Sequence, residues 1–187
     1  MSRTLGLVIL LLMSIAPATA VATEAGWALL RTGGQIVLLR HARAPGTGDP
    51  ANFDIDKCAT QRNLSEQGRL QARRIGALIA ARAAPTERVL SSRYCRAKET
   101  AALVFGAGSV ELFEPLDPSA GDDNLAKERA AAVMEAIRAY SGSGNFYLVT
   151  HDTNIKALTG HAAREGEAVI VAPNDTGLTM IGKIVFN

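Results

Sequence analysis

The sequence predicts a three-layer α/β/α domain whose central sheet is mostly parallel, with an antiparallel edge. Short continuous apolar runs are typical of strands buried on both faces, and longer segments with helical spacing separate them. This alternation of strands and helices favours a parallel sheet covered by helices. The predicted strands are 35–40, 89–90, 110–113, 146–149 and two closing strands, 168–171 and 178–186. The predicted helices begin near 65, 93 and 125.

The first 20 residues resemble a secretory signal peptide. Arg3 precedes an apolar run, which is followed by Ala18, Thr19 and Ala20, the order of charge, apolar core and Ala-x-Ala site that signal peptides have. The run is about half of the ~20 residues needed to cross a bilayer, which makes a permanent anchor the less favoured alternative. We therefore expect a signal peptide at 1–20, a single domain at 21–187, and a periplasmic or secreted protein with no stable membrane anchor after cleavage.

The charge of the chain and the distribution of its basic residues bear on whether it binds nucleic acid. The 187 residues carry a formal net charge of +2, and the basic residues are scattered along the chain. A nucleic-acid-binding surface needs a concentrated basic patch, so we expect no nucleic acid partner.

Two cysteines, Cys58 and Cys95, are the only ones in the chain. An even number of cysteines permits a disulfide in an oxidising compartment, whereas a cytosolic protein would keep both as thiols. Cys58 lies in the long loop after His41, and Cys95 directly precedes Arg96, so both should lie above the same pocket. A bridge is therefore expected on the condition that the chain is exported.

Polar clusters follow three of the predicted strands, at the edge where ligands bind in such sheets. They are residues 40–43, 91–96 and 150–154. Two histidines, His41 and His151, and several arginines should meet there without an acidic cluster beside them, which favours an anion site over a metal site. Arg40 and Arg96 can bind phosphate oxygens, and the flanking arginines should keep His41 neutral and nucleophilic. We therefore expect no metal and no cofactor.

These segments also resemble the histidine phosphatase superfamily. The run 38–43 is similar to its Arg-His-Gly signature, with Ala42 where glycine is usual, and 63–68, 91–101 and 149–151 are similar to its other recurrent segments. The resemblance implies that His41 becomes phosphohistidine, that Arg40, Arg96 and His151 form the phosphate pocket, and that no metal is required. Arg43 is one place too early for the extra arginine of the acid-phosphatase motif, and its contact with the phosphate is a geometric hypothesis.

The proton donor to the leaving group has three candidates. The stretch His-Asp-Thr-Asn at 151–154 resembles the acid-phosphatase branch, which implies Asp152 as the donor. The small phosphatases and mutases instead use an acidic residue after the third strand, which here is Glu114 or Asp117. Asp152 is also a candidate helix N-cap, a common structural use of aspartate.

Three functions fit this sequence. The favoured one is an exported phosphomonoesterase that acts on a phosphorylated small molecule or an envelope sugar. A phosphohistidine mutase would need long insertions that close over the substrate, for which the chain is short. A catalytically silent anion-binding module would have no need of the complete set His41, Arg96 and His151.

Overall fold

The computed structural model describes residues 18–175 and 177–186, so the predicted signal peptide lies almost wholly outside the described residues. The strands are β1 (Ile36–Arg40), β2 (Thr86–Ser91), β3 (Glu111–Leu112), β4 (Asn145–Thr150), β5 (Ala168–Pro173) and β6 (Leu178–Ile184). The helices are α1 (Ala18–Thr32), α2 (Glu66–Ala81), α3 (Cys95–Phe105), α4 (Asp123–Arg138) and α5 (Asp152–Thr159). None of these helices is both long and apolar enough to cross a lipid bilayer.

The strands form one sheet in the order β3-β2-β4-β1-β5-β6. Strands β3, β2, β4 and β1 run parallel to one another, β5 pairs antiparallel with β1, and β6 pairs antiparallel with β5 at the edge. The central strands β1 and β4 pair in register, with Leu38 opposite Leu148. Their continuous apolar runs are buried on both faces, as a parallel sheet covered by helices requires. The predicted fold class is confirmed.

Alternate residues of β1 divide the core between two helical layers. Val37 and Leu39 belong to the apolar cluster shared with α1, α2 and α3, whereas Ile36 and Leu38 belong to the cluster shared with α4 and α5. This division follows from the two-residue period of a strand. The helix α1 was not predicted, and it fills part of the first layer with Trp27, which is 3% exposed.

Helix α2 lies unusually close to the chain that leaves β1. Ser65 caps the helix by accepting a hydrogen bond from the Gly68 N–H at 3.1 Å, as its place before the apolar pattern predicts. The Cα of Gly68 faces the main chain of Arg43, and a Cβ atom at position 68 would collide with the Arg43 carbonyl. Glycine is therefore required by close packing at this position and not by a special backbone angle.

A disulfide joins the long loop after β1 to the start of α3. Cys58 and Cys95 are bonded, with their Cα atoms 5.6 Å apart, which confirms the conditional expectation. Gln61 supports the same junction, because its Oε1 accepts from the Cys95 N–H at 2.9 Å and its Nε2 donates to the Asp54 carbonyl at 3.0 Å. We call residues 44–62 the rim loop.

The disulfide should stabilise the folded protein. The sequence separation of 37 residues corresponds to a gain of about 4 kcal/mol in the chain-entropy model, less any strain. We expect a reducing agent to lower the urea midpoint of the wild type markedly. The Cys58→Ser/Cys95→Ser double variant is the matched control, since its lower midpoint should not respond to the reducing agent. Equal midpoints for oxidised and reduced wild type would contradict a stabilising role.

Candidate active site

The three polar clusters meet at the carboxyl ends of β1, β2 and β4, as expected. The His41 N–H donates to the Thr150 carbonyl, and the Ser92 N–H donates to the Val149 carbonyl, each at 3.0 Å. These bonds continue the sheet pairing one residue past the strand ends. As a result, the rings of His41 and His151 face each other with centroids 5.3 Å apart.

The ring of His41 is buried and neutral, and its orientation is fixed. The Ala42 carbonyl can only accept a hydrogen bond, so the 2.8 Å contact places a proton on Nδ1 and leaves the lone pair on Nε2. Burial lowers the pKa of His41 to about 3, with smaller contributions in the same direction from the charges of Arg96, Arg62 and Arg40. The Nε2 atom is therefore a free nucleophile at any ordinary pH.

Two buried contacts hold the main chain around His41. The Ala42 N–H donates to Thr100 Oγ1 at 3.0 Å, and the Thr100 hydroxyl donates to the Arg96 carbonyl at 2.7 Å. From the other side, the Gly166 N–H donates to the His41 carbonyl at 3.0 Å. His41 and Arg96 are thus positioned by one network of hydrogen bonds.

His151 is held by a hydrogen-bonded relay that ends on a carboxylate. The Ser92 hydroxyl donates to Asp117 Oδ1 at 2.7 Å, so the 2.9 Å contact with His151 places a proton on His151 Nε2, which donates to Ser92 Oγ. Asp117 is 2% exposed and also accepts from the main-chain N–H and the Nε of Arg93 at 2.8 and 2.7 Å. Burial, followed by the charge of Arg96, lowers the pKa of His151 well below its usual range.

Several donors around the two rings are buried and unsatisfied. The Nε atoms of Arg40, Arg62 and Arg96 find no hydrogen-bond acceptor among the described residues. Arg96 is otherwise held by Asp49, whose Oδ1 lies 3.0 Å from Arg96 Nη1, and Arg40 Nη1 donates to the Ala163 carbonyl at 2.7 Å. Buried polar groups are normally paired, and three arginines with free donors match the oxygens of a phosphoryl group.

The structure leaves the Arg43 side chain exposed and brings Arg62 close to the two histidines. Arg43 is exposed, and its main-chain N–H donates to Gln71 Oε1 at 3.0 Å, beside α2. Arg62, at the end of the rim loop, was not among the predicted site residues, and its charge acts on both His41 and His151. Its place directly before the recognised segment 63–68 was the signal that could have revealed it.

The three candidate acids have different surroundings. Asp152 is the first residue of α5 and not its N-cap, which is His151. Asp152 Oδ1 is buried without a hydrogen bond among the described residues, and Arg40 Nη1 lies 4.0 Å from it. Glu114 is half-exposed and pairs with Arg93 and Arg129 at 3.2 and 3.1 Å. Asp117 is occupied by the relay, so Asp152 is the candidate whose buried oxygen has no hydrogen bond among the described residues and lies beside Arg40.

The comparisons with known proteins agree with this geometry. The family model described as "Histidine phosphatase superfamily (branch 1)" matches residues 36–117, while no curated protein matches the chain by sequence. The fold is similar to that of the protein histidine phosphatase SixA in complex with tungstate, with 20% identity, a TM-score of 0.55 and coverage of 80% of this chain and 96% of that one.

Two further solved structures have the same fold. A phosphoserine phosphatase variant from Entamoeba histolytica, in complex with phosphoserine, is 12% identical with a TM-score of 0.60, and the match covers 82% of this chain and 98% of that one. The mycobacterial glucosyl-3-phosphoglycerate phosphatase in complex with VO3 is 18% identical with a TM-score of 0.58, and the match covers 74% and 92% of the two chains. The match to the model of this superfamily spans β1 to Asp117, and the fold shared with these solved structures extends over most of the chain.

Proposed function

We propose that the protein is an exported phosphomonoesterase that carries the transferred phosphoryl group on His41 and needs no metal ion. The observation that carries this proposal is the buried, neutral His41 Nε2 beside three arginines whose Nε donors have no acceptor among the described residues. The solved structures of the same fold support it, because they include phosphatases in complex with phosphoserine, tungstate and VO3.

In the first step, His41 Nε2 attacks the phosphorus atom and the ester P–O bond breaks. Arg40, Arg62 and Arg96 donate to the phosphoryl oxygens and stabilise the charge that develops on them. The leaving oxygen takes a proton from Asp152, whose buried Oδ1 lies beside Arg40. The products are phosphohistidine and the alcohol.

In the second step, water attacks the phosphorus atom and gives a proton to the Asp152 carboxylate. The P–N bond breaks, and its electron pair returns to His41 Nε2. The same carboxyl group therefore acts first as an acid and then as a base, as microscopic reversibility requires.

The relay prepares His151 to bind the phosphoryl group. Its Nδ1 is buried without a partner among the described residues and must be protonated to donate to a phosphoryl oxygen. An arriving dianion favours this imidazolium form, and the Ser92 and Asp117 contacts balance the added charge from the opposite side of the ring. Asp117 therefore acts through His151 as a positioning residue.

Metal independence is supported by how the positive charge is supplied. Within the described ranges, no three residues of the types His, Cys, Asp or Glu are grouped so as to hold a metal ion. The arginines instead provide the cationic groups that stabilise the transferring phosphoryl group.

Export is supported by the disulfide between Cys58 and Cys95. A bond between Cys58 and Cys95 forms and persists in an oxidising compartment, in agreement with the signal-peptide pattern at 1–20. Alkylation of free thiols at the moment of cell lysis tests this proposal, because a chain retained in the cytosol would keep both thiols reduced.

Replacing His41 should remove the nucleophile and abolish turnover. We expect His41→Ala to lower kcat for a generic aryl phosphate by a factor on the order of 10⁴ or more. Rapid quenching of the wild type in alkaline detergent should leave alkali-stable, acid-labile phosphate on His41, and mass spectrometry locates it. Phosphate trapped on another residue would contradict the nucleophile, and activity lost in EDTA but restored by a divalent ion would contradict metal independence.

Replacing Asp152 should affect poor leaving groups most, because they need a proton most. We expect Asp152→Asn to lower kcat/KM for an alkyl phosphate by about 10²- to 10⁴-fold and to have little effect on a nitrophenyl phosphate. Asp117→Asn should slow both substrates equally, since it acts through His151. Glu114→Gln is the control, and a leaving-group-dependent loss in that variant alone would transfer the acid role to Glu114.

The buried neutral ring of His41 should make the protein less stable in acid. The pKa of His41 is about 3 when folded, lowered chiefly by burial from an ordinary 6.5. Between these values the unfolded chain binds a proton that the folded protein does not, so stability falls as pH falls from 6.5 towards 3. At pH 4.5 the loss from this group is about 3 kcal/mol. Urea denaturation at pH 7 and 4.5 should show a smaller acid loss in His41→Gln than in wild type; equal losses would contradict the shift.

A further inference from the structure

A row of aromatic rings leads from the nucleophile to the protein surface. The ring of His151 lies 5.3 Å from that of His41 and 5.2 Å from that of Tyr94, measured between centroids. Phe53 stacks on Tyr94 at 5.1 Å with an interplanar angle of 25°. Phe53 is 36% exposed, so the row ends at a flat apolar surface in contact with solvent.

The two outer rings are held firmly beside the phosphate pocket. The guanidinium of Arg96 lies over the ring of Tyr94, 4.7 Å from its centroid, which joins the aromatic row to a phosphate ligand. Phe53 belongs to the rim loop, where Gln61 Nε2 donates to the carbonyl of the next residue, Asp54, at 3.0 Å. The disulfide fixes the same loop to α3. A surface held in this way is ready for a ligand before the ligand arrives.

We propose that Phe53, supported from behind by Tyr94, forms a leaving-group subsite that selects phosphomonoesters of ring compounds with one apolar face. The inference rests on the proposed function, because the phosphoryl group held at His41 brings the leaving group to the rim. A planar aryl ring or the C–H face of a pyranose can lie against an exposed aromatic ring, whereas a short acyclic alcohol has no face to offer. Aryl groups and pyranose sugars would both bind by stacking on the aromatic surface of Phe53.

The test compares three phosphomonoesters: phenyl phosphate, glucose 6-phosphate and glycerol 3-phosphate. The last two are primary alkyl esters, so they differ in the ring and not in the leaving-group chemistry. For each variant we divide kcat/KM for a ring ester by kcat/KM for glycerol 3-phosphate. In Phe53→Ala we expect this ratio to fall about 3- to 10-fold, which is the change in affinity that one aromatic contact typically gives. Phe53→Tyr should preserve the ratio. Leu70→Ala, which alters another exposed apolar side chain 59% exposed on α2, is the matched control.

The results separate the two possible ring classes. A fall for phenyl phosphate alone assigns the subsite to aryl groups, and a fall for glucose 6-phosphate alone assigns it to sugars. Equal losses for all three esters, or no loss, would overturn the subsite while leaving the phosphatase proposal intact.

Binding of the same three esters to His41→Ala, with and without Phe53→Ala, measures the selectivity without turnover. If wild type hydrolyses none of them, this calorimetric titration alone decides the subsite: the same 3- to 10-fold selectivity supports it and equal affinities overturn it.

Discussion

Three guanidinium groups lie around two imidazole rings that are almost fully buried, and the rest of the site is arranged to accommodate this positive charge. A protonated ring would add another cation to a region of low dielectric, so both His41 and His151 are held neutral. Neutrality leaves His41 Nε2 with its lone pair. The unpaired guanidinium donors keep the pocket positive, and a phosphoryl dianion has the charge and the oxygens to pair with them.

The carboxylates that limit this charge come from loops, whereas the histidines come from strand ends. Asp49 in the rim loop holds Arg96, and Asp117, after β3, closes the relay behind His151. The rigid sheet therefore fixes the positions of the two imidazole rings. The loops supply the carboxylates that orient Arg96 and His151. This division explains why the rim loop is bonded to α3 through Gln61 and a disulfide.

The parts of the fold that the sequence predicted are those with local signals. Strands β1 and β4 are continuous apolar runs, and Ser65 marks the start of α2, so neighbouring residues determine these elements. Helix α1 was missed because Trp27 packs in a core that β6, from the other end of the chain, helps to form.

In the site, too, the residues that depend on contacts distant in sequence were the ones that the sequence did not predict. His41, His151, Arg40 and Arg96 follow strand ends, and the topology alone brings them together. Arg62 reaches the pocket only because the rim loop folds back, and the pairing of Ser92 with Asp117 joins residues 25 positions apart. Arg43 was chosen for its nearness in sequence to His41, but the chain after β1 turns against α2 and leaves that side chain exposed.

The contact between Gly68 and the main chain of Arg43 sets the distance between helix α2 and the segment that follows β1. Because no side chain separates them, the backbone of α2 supports the turn that begins at His41 and includes Ala42, the acceptor that fixes the nucleophile's tautomer. A methyl group at position 68 would have to push this turn away. A displacement of about 1 Å is enough to cost a reaction two orders of magnitude in rate. The absence of a side chain at Gly68 therefore keeps α2 close enough to support the turn that orients the His41 ring.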